Sequence, residues 1–164
     1  GSEAARGMLT KGVDLFLRMY MFSRPVVAAC TGHAIAAGSI LLLCSDIRVG
    51  SEGDFKVGLP EVTIGMALPF FATELARDRL SKRHYTKATA LGLMYSPEGA
   101  VDAGFLDEVV PQEEVISIAQ ERAKSLSEVG RTALTRTRET TRGQIAQTIK
   151  ESLSQDLSKF DVSS

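Results

Sequence analysis

The sequence predicts an α/β fold whose C-terminal part is mainly helical, and two observations lead to that prediction. Up to about residue 110, short apolar runs typical of strands covered on both faces alternate with stretches at helical spacing. From residue 112 onward the pattern is helical throughout. A length of 164 residues, of which 44% are hydrophobic, suits one compact domain and argues against intrinsic disorder.

Apolar spacing and a proline predict the first elements. Residues 8–22 carry apolar side chains at three-to-four spacing, which indicates an amphipathic helix. Pro25 ends this helix, because a proline disfavours helical angles at the residue before it. Next we expect a strand at residues 26–30, a tight turn of small residues at 32–38 and a buried helix at 39–44. Two further strands are expected at 46–49 and 55–57.

Serine, proline and glycine mark the helices of the second half. Ser81 is expected to cap the helix at 81–92. Ser96-Pro97-Glu98 opens a short helix, because proline suits the first helical turn, and Gly104 closes it. The other elements expected here are a helix at 69–79, a strand at 106–110 and helices at 112–126, 130–142 and 143–159.

Composition excludes several classes of function. With 19 Lys and Arg against 20 Asp and Glu, the net charge of −1 argues against a general nucleic-acid binder. The longest apolar run, residues 34–44, is far shorter than the roughly 20 residues that cross a bilayer. No basic-then-apolar leader opens the sequence, so we expect neither a secretory signal nor a membrane partner. Cys30 and Cys44 lie in apolar surroundings and are expected to be buried free thiols in a cytoplasmic protein.

Three further patterns resemble functional motifs. Cys30 and His33 could be zinc ligands, but residues three apart point to opposite faces of a strand and no second Cys pair is present, so no metal site is expected. Ser39 lacks both glycines that a nucleophile elbow requires, because Ala37 and Leu41 stand at the two positions. Residues 121–150 carry seven basic and three acidic side chains. They either meet an anionic partner or, as is commoner, form a solvated helix face.

The small-residue turn and a later Gly58-Leu-Pro-Glu61 segment form the pattern that indicates chemistry. The first N–H groups of a helix lack intrahelical acceptors, and small side chains at Ala36, Ala37 and Gly38 let a substrate oxygen approach them, as an oxyanion hole requires. Glu61 lies in an apolar stretch, where loss of water raises the pKa of a carboxyl group toward the range of a general base. The pattern alone also fits close packing beside a solvated glutamate.

The order of these segments resembles the crotonase superfamily, which includes enoyl-CoA hydratases and isomerases. The resemblance rests on RPVVAACTGHAIAAGS at 24–39, LCSDIRV at 43–49, GLPEVTIG at 58–65 and AVDAGFLDEVVP at 100–111. It implies a crotonase-like (ClpP/crotonase) spiral of ββα units with a helical C-terminal part. Residues 1–111 would form a partial core and residues 112–164 a helical region of the trimerisation type, with the N-terminal portion of the family's domain apparently missing.

The resemblance also implies roles for individual residues. Ala37 would donate one of the two N–H groups that hold a thioester oxyanion, the other coming from a segment before the part read here. Glu61 would act as acid and base. The substrate site would be lined by Ala36, Gly38, Ile40, Met66, Pro69 and Phe70. The rings of Phe70 and Phe71 would either reshape the acyl pocket or pack in the core.

The implied function is acyl-CoA processing through a thioester enolate. Ile40 stands where hydratases of the family carry a second glutamate, so an isomerase-type proton shuttle by Glu61 alone is favoured over hydration. A 2-enoyl-CoA hydratase, or a non-catalytic acyl-CoA-binding or assembly member, is the alternative. The resemblance implies no cofactor other than the coenzyme A of the substrate, and a homotrimer or hexamer.

Overall fold

A computed structural model describes residues 2–160 and arranges them as five short strands and seven α-helices. The strands are β1 (Val27–Cys30), β2 (Ala34–Ile35), β3 (Ile47–Ser51), β4 (Val57–Gly58) and β5 (Glu108–Val110). The helices are α1 (Ser2–Tyr20), α2 (Ala37–Leu43), α3 (Phe70–Arg79), α4 (Lys82–Ala88), α5 (Pro97–Ala103), α6 (Val115–Ser125) and α7 (Arg131–Phe160). Short 3₁₀ helices lie at Glu61–Ile64 and Gln112–Glu114. The α/β class with a helical C-terminal part is confirmed.

The capping residues of two helices behave differently from one another. Ser96 accepts a hydrogen bond from the Gly99 N–H at 3.1 Å, and Gly104 ends α5 in the left-handed conformation with φ 103°, so this helix is confirmed together with its caps. Ser81 stands at the N-cap position of α4, but its buried hydroxyl has no hydrogen-bond partner in the described part of the chain. The N-cap position predicted for Ser81 is therefore confirmed, but its side chain makes no capping hydrogen bond to a described residue.

Two short segments differ from the prediction. Strand β2 lies inside the predicted turn at 32–38, where no strand is expected. Helix α4 ends at Ala88 instead of residue 92. The chain turns at Gly92, whose φ is 59°, and a side chain there would meet Val62 and Thr63 at 2.8 and 2.9 Å. The segment around Gly92 therefore packs against the turn that carries Glu61.

The helices at both ends of the described region are longer than predicted. α1 begins at Ser2 instead of residue 8. α7 is one continuous helix where the sequence predicts two that meet at Gly143. A glycine in a helix interior costs about 1 kcal/mol relative to alanine. The helix continues because buried side chains on both sides of Gly143 hold it against the rest of the fold, namely Arg138, Arg142, Ala146 and Ile149.

A three-stranded parallel sheet has the order β1-β3-β5. Val27 lies opposite Ile47, and Val49 lies opposite Glu108. Parallel neighbours require a crossover connection, and α2 lies in the one between β1 and β3. β1 is an edge strand and leaves Ala29 exposed, so the prediction of a strand covered on both faces is wrong for β1.

A second, two-stranded parallel pair positions the candidate site. In this pair Ala34 of β2 lies opposite Val57 of β4, and Ile35 lies opposite Gly58. β2 runs directly into the small-residue turn, and β4 runs directly into the segment that carries Glu61. The pairing therefore brings these two segments side by side.

One large hydrophobic core contains side chains of both the first helix, α1, and the last helix, α7. The side chains of Tyr20, Leu43, Leu75 and Phe105 are fully buried in it, and Ile149 of α7 belongs to the same cluster. A smaller cluster lies between the three-stranded sheet and α6. The boundary between residues 111 and 112 stays a prediction. Within residues 2–160, no helix combines the length and apolarity needed to cross a membrane.

Candidate active site

The turn between β2 and α2 contains a strained backbone at Ala36. With φ 53° and ψ −113°, Ala36 is the only non-glycine residue of positive φ among residues 2–160. Such a conformation costs about 1–3 kcal/mol and persists only where surrounding contacts hold it. The Ala36 N–H donates to the Gly58 carbonyl at 2.9 Å, and the Ala36 carbonyl accepts from the Ile40 N–H at 3.1 Å. These bonds fix the sharp entry into α2.

Ala37 is the first residue of α2, and its backbone N–H is available to a ligand. A helix leaves its first N–H groups without intrahelical acceptors. Within the described residues, no group accepts a hydrogen bond from the Ala37 N–H. The residue is exposed and carries only a methyl group. A carbonyl oxygen that acquires negative charge can therefore approach this N–H, as an oxyanion donor requires.

Glu61 begins the 3₁₀ turn after β4 and is half-buried. Its Oε2 atom is buried and has no hydrogen-bond partner in the part of the chain that the structure describes. Burial raises the pKa of Glu61 above its usual value, and the hydrogen bond from its own backbone N–H offsets only part of that effect. A desolvated carboxylate with an uncommitted oxygen is suited to accept a proton from carbon.

Backbone hydrogen bonds hold the Glu61 turn in place. The Met66 N–H donates to the Glu61 carbonyl at 3.0 Å. The Thr63 hydroxyl and N–H both donate to the Pro60 carbonyl, at 2.6 and 2.9 Å. Gly65 ends the turn with φ 78°, which a residue without a side chain adopts at little cost. The backbone at Glu61 is therefore held in place, although the Oε2 atom of its carboxyl group has no partner among the described residues.

Gly58 links the two halves of the site by close approach. Its carbonyl accepts the Ala36 N–H, and Glu61 follows three residues later on the same segment. A side chain at Gly58 would lie 2.8 Å from the Met94 sulfur and 3.1 Å from the Leu93 carbonyl oxygen. A side chain at this position would therefore require the Met94 side chain to move and the Leu93 carbonyl to shift slightly. The oxyanion donor and the candidate base are therefore held by the same pair of strands.

Apolar side chains are exposed beside the Glu61 turn. Ile64 is 71% exposed and Met66 is 46% exposed. On the loop that packs against the turn, Leu91 and Leu93 are 66% and 46% exposed. Exposed apolar side chains so close together are suited to an apolar ligand or to a covering segment.

The remaining predicted substrate contacts lie in different surroundings. Gly38 is half-buried in α2, and Ile40 is 4% exposed and belongs to the hydrophobic core. Pro69 and Phe70 are half-buried at the start of α3. Phe71 is buried and stacks on a ring of α1, with centroids 5.8 Å apart, so core packing is confirmed for this ring. Substrate contact by the other four residues stays a prediction.

Two buried polar residues near these segments carry no predicted role. Asp156 of α7 is 2% exposed, and its carboxylate accepts the N–H groups of Phe70 and Phe71 at 2.9 and 3.3 Å. Ser39 of α2 is fully buried, and its hydroxyl bonds to the backbone of both β2 and β4. No local signal marks Asp156, because its partners lie 85 and 86 residues away. For Ser39 the only signal is a hydroxyl inside a strongly apolar run.

The basic stretch predicted at residues 121–150 divides into three groups. Arg138 and Arg142 are buried and form ion pairs with Asp46, so neither an anionic partner nor a solvated face describes these two. Arg122 pairs with Glu108. The other basic residues of the stretch are exposed, namely Lys124, Arg131, Arg136 and Lys150.

Both cysteines are free thiols, and Cys44 is buried as expected, whereas Cys30 is only half-buried. Burial raises the pKa of Cys44 to about 12 and also raises the pKa of half-buried Cys30. The Cys30 thiol donates to a backbone carbonyl, and His33 Nδ1 accepts the Lys56 N–H at 3.0 Å. In the described part of the chain, no three His, Cys, Asp or Glu side chains converge on one point.

Comparisons with known proteins identify relatives over most of the chain. The family model described as enoyl-CoA hydratase/isomerase matches residues 2–163. Mitochondrial enoyl-CoA delta isomerase 1 of Mus musculus is 34% identical over 108 residues, which is 65% of this chain and 37% of that protein. The 2,3-dehydroadipyl-CoA hydratase of Escherichia coli K12 is 28% identical over 114 residues, covering 70% of this chain and 44% of that protein. The chain thus spans less than half the length of either relative.

A solved structure supports the fold assignment. The enoyl-CoA hydratase/isomerase family protein of Pseudomonas syringae superposes with a TM-score of 0.92 at 39% identity. The superposition covers 96% of this chain and 69% of that one. The ββα crotonase-like architecture implied by the sequence motifs is therefore confirmed.

Proposed function

The chain belongs to the enoyl-CoA hydratase/isomerase family, and on that premise we propose that the protein processes an acyl-CoA thioester through an enolate. One observation carries the proposal. The free N–H of Ala37 and the desolvated carboxylate of Glu61 follow directly on two strands that pair with each other. The N–H stabilises the oxygen of the enolate, and the carboxylate exchanges a proton with the neighbouring carbon.

The reaction we favour moves a double bond. The Glu61 carboxylate takes a proton from C2 of a 3-enoyl thioester, and the electrons of that C–H bond spread over the double bond and the carbonyl group. The Ala37 N–H donates to the carbonyl oxygen, where negative charge accumulates. Protonated Glu61 then delivers the proton to C4. The product is a 2-enoyl thioester, and Glu61 returns to its ionised form.

The surroundings of Ile40 favour isomerisation over hydration. Its side chain transfers no protons and packs in the core, with 4% of its surface exposed. Hydration needs one group to orient water and another to handle the carbon proton, whereas a double-bond shift needs only one base. Glu61 is sufficient for the latter.

The family resemblance supports a proposal for the substrate class, while the assembly and the localisation stay expectations. We expect an acyl-CoA thioester as substrate, no separate cofactor, and a cytoplasmic homotrimer or hexamer. Exchange of substrate α-protons with D₂O, followed by mass spectrometry over a series of enoyl-CoA chain lengths, tests the activity. Wild-type protein should exchange the proton and convert a 3-enoyl to a 2-enoyl thioester, while formation of a 3-hydroxyacyl product would favour hydration.

Replacement of the candidate base separates catalysis from binding. Glu61→Gln should lower turnover by at least about 100-fold, because the amide accepts no proton. Glu98→Gln is a matched control, since Glu98 also follows a proline at the start of a helix but is exposed. Full activity of Glu61→Gln would overturn the proposed base. Tight acyl-CoA binding by wild-type protein without proton exchange would instead indicate a non-catalytic member of the family.

A further inference from the structure

We propose that Ser39 is a positioning residue. Its buried hydroxyl holds the Ala37 N–H and the Glu61 carboxyl in the relative positions that let one bind the substrate oxygen while the other exchanges a proton with the substrate carbon. The inference rests on the proposed function, because it concerns the geometry of the same two groups. It extends that function to a residue that contacts neither substrate nor reacting atoms.

The hydroxyl of Ser39 joins β2 to β4. Ser39 is fully buried, and its Oγ donates to the Ala34 carbonyl at 2.7 Å and accepts the Gly58 N–H at 2.9 Å. Both distances are those of well-formed hydrogen bonds. The two partners are the backbone atoms of separate strands, so the hydroxyl connects them directly.

Each end of this connection lies close to a reacting group. Ala34 precedes Ala37 by three residues, and Gly58 precedes Glu61 by three residues. The Gly58 carbonyl also accepts the Ala36 N–H at 2.9 Å. The Gly58 N–H thus donates to the Ser39 side chain in addition to the strand pairing that sets Ala34 opposite Val57, and the Gly58 carbonyl accepts from the turn. This arrangement also helps to hold Ala36 in its strained conformation.

A second buried serine, which lies just after the same helix, bonds differently. The hydroxyl of Ser45 is nearly as buried and donates to the Leu41 carbonyl at 2.9 Å, four residues back, so it joins no other element. Helical serines commonly make such local bonds. Ser39 instead bonds outside α2. Removal of its hydroxyl would leave a buried N–H without this acceptor, whereas removal of the Ser45 hydroxyl would not affect β4.

Burial excludes a role for Ser39 as a nucleophile. Its surface is 0% exposed, and in the described part of the chain its side-chain hydrogen bonds go to backbone groups alone, so no base activates it. The hydroxyl can instead fix the distance between β2 and β4, and with it the relative positions of Ala37 and Glu61. Reactions that depend on aligned groups lose rate steeply when one of them moves, by about 100-fold for a shift near 1 Å.

The test compares Ser39→Ala with Ser45→Ala in the full-length protein, by α-proton exchange of an enoyl-CoA substrate that the wild-type protein processes. Ser39→Ala should lower kcat by about 10- to 100-fold and change KM by less than about threefold, because alignment acts on the transition state. Ser45→Ala should retain kcat within about twofold. Equal kcat for the two variants, or a loss confined to KM, would overturn the proposal.

A readout independent of activity accompanies the kinetics. Hydrogen exchange of the Gly58 amide should be at least about tenfold faster in Ser39→Ala than in wild type, and unchanged in Ser45→Ala. Unchanged protection of the Gly58 amide in Ser39→Ala would overturn the positioning role of Ser39 even if activity fell. If the wild-type protein exchanges no substrate proton while the Gly58 amide of Ser39→Ala responds as predicted, the result contradicts the proposed function but not the positioning role of Ser39. If Ser39→Ala fails to fold, Ser39→Cys replaces it, and a wild-type kcat with this weakly bonding thiol would contradict the proposal.

Discussion

Arg138 contacts Asp46 with both of its terminal nitrogens, Nη1 at 2.8 Å from Oδ1 and Nη2 at 2.7 Å from Oδ2, although 92 residues separate them. Asp46 also accepts the Val26 N–H at 2.7 Å, and Arg142 lies 3.2 Å from Oδ1. Burial by itself would raise the pKa of Asp46, but the hydrogen bonds and the two positive charges outweigh it and lower the pKa. The carboxylate thereby ties α7 to the start of β3.

Loss of the Arg138 guanidinium should destabilise the protein strongly. Arg138→Gln leaves Asp46 mostly buried with a weaker partner, and breaking a buried ion pair costs about 3 kcal/mol in free energy of unfolding. The side chain of Arg138 is 5% exposed, whereas that of Arg83, which pairs with Asp102, is 76% exposed. Urea unfolding of Arg83→Gln is the control and should show a loss below about 1 kcal/mol. Similar losses in both variants would contradict the anchoring role.

The pH dependence of activity should report the raised pKa of Glu61. Only the ionised form accepts a proton from carbon, so kcat/KM should rise with pH through a pKa above the usual range of a glutamate. A profile already flat at pH values within that usual range would contradict the desolvation of this carboxyl group.

Stability should change in the opposite direction over the same pH window. The folded protein holds the Glu61 proton more tightly than the unfolded chain, so the free energy of unfolding should fall as pH rises from the usual to the raised pKa. Glu61→Gln should remove this contribution. Urea unfolding of both proteins across the window measures the difference.

Asp156 should stabilise the start of α3. Its carboxylate accepts two N–H groups at a helix N-terminus, where negative charge is favourable, so Asp156→Asn should lower the free energy of unfolding by about 1–2 kcal/mol. Gln155→Ala changes an exposed neighbour on the same helix and should have little effect. Chemical denaturation of both variants provides the comparison, and an Asp156→Asn protein as stable as wild type would show that the carboxylate is dispensable.

Two glycine-to-alanine changes should have opposite effects. Gly143 lies inside α7 and a side chain there would meet nothing within 4 Å, so Gly143→Ala should raise the free energy of unfolding by about 1 kcal/mol. Gly104 has φ 103°, and a side chain there would lie 2.9 Å from the Arg79 carbonyl oxygen, so Gly104→Ala should be destabilising. Thermal unfolding measures both. A destabilised Gly143→Ala would mean that α7 needs the glycine for a bend.

Local signals predicted helices well where the deciding contacts were also local. The limits of α5 follow from Ser96, Pro97 and Gly104, because capping and left-handed closure involve atoms only a few residues apart. The same reasoning separated α7 into two helices at Gly143, since nothing nearby in sequence shows that buried side chains on both sides hold it straight. β2 escaped prediction because a two-residue strand is defined by its partner and not by a pattern of its own.

By itself the sequence indicated the α/β class, the family motifs, the small-residue turn and Glu61, and the family resemblance then singled out the Ala37 N–H. These depend on residue type and short spacing, which a single chain displays directly. Only the tertiary structure decided which polar groups meet: Ser39 with Gly58, Asp46 with Arg138 and Asp156 with Phe70. Such partners are 19 to 92 residues apart, so the fold of the whole chain decides which of them meet. A buried polar group without a partner costs free energy, and this cost keeps the pairs together.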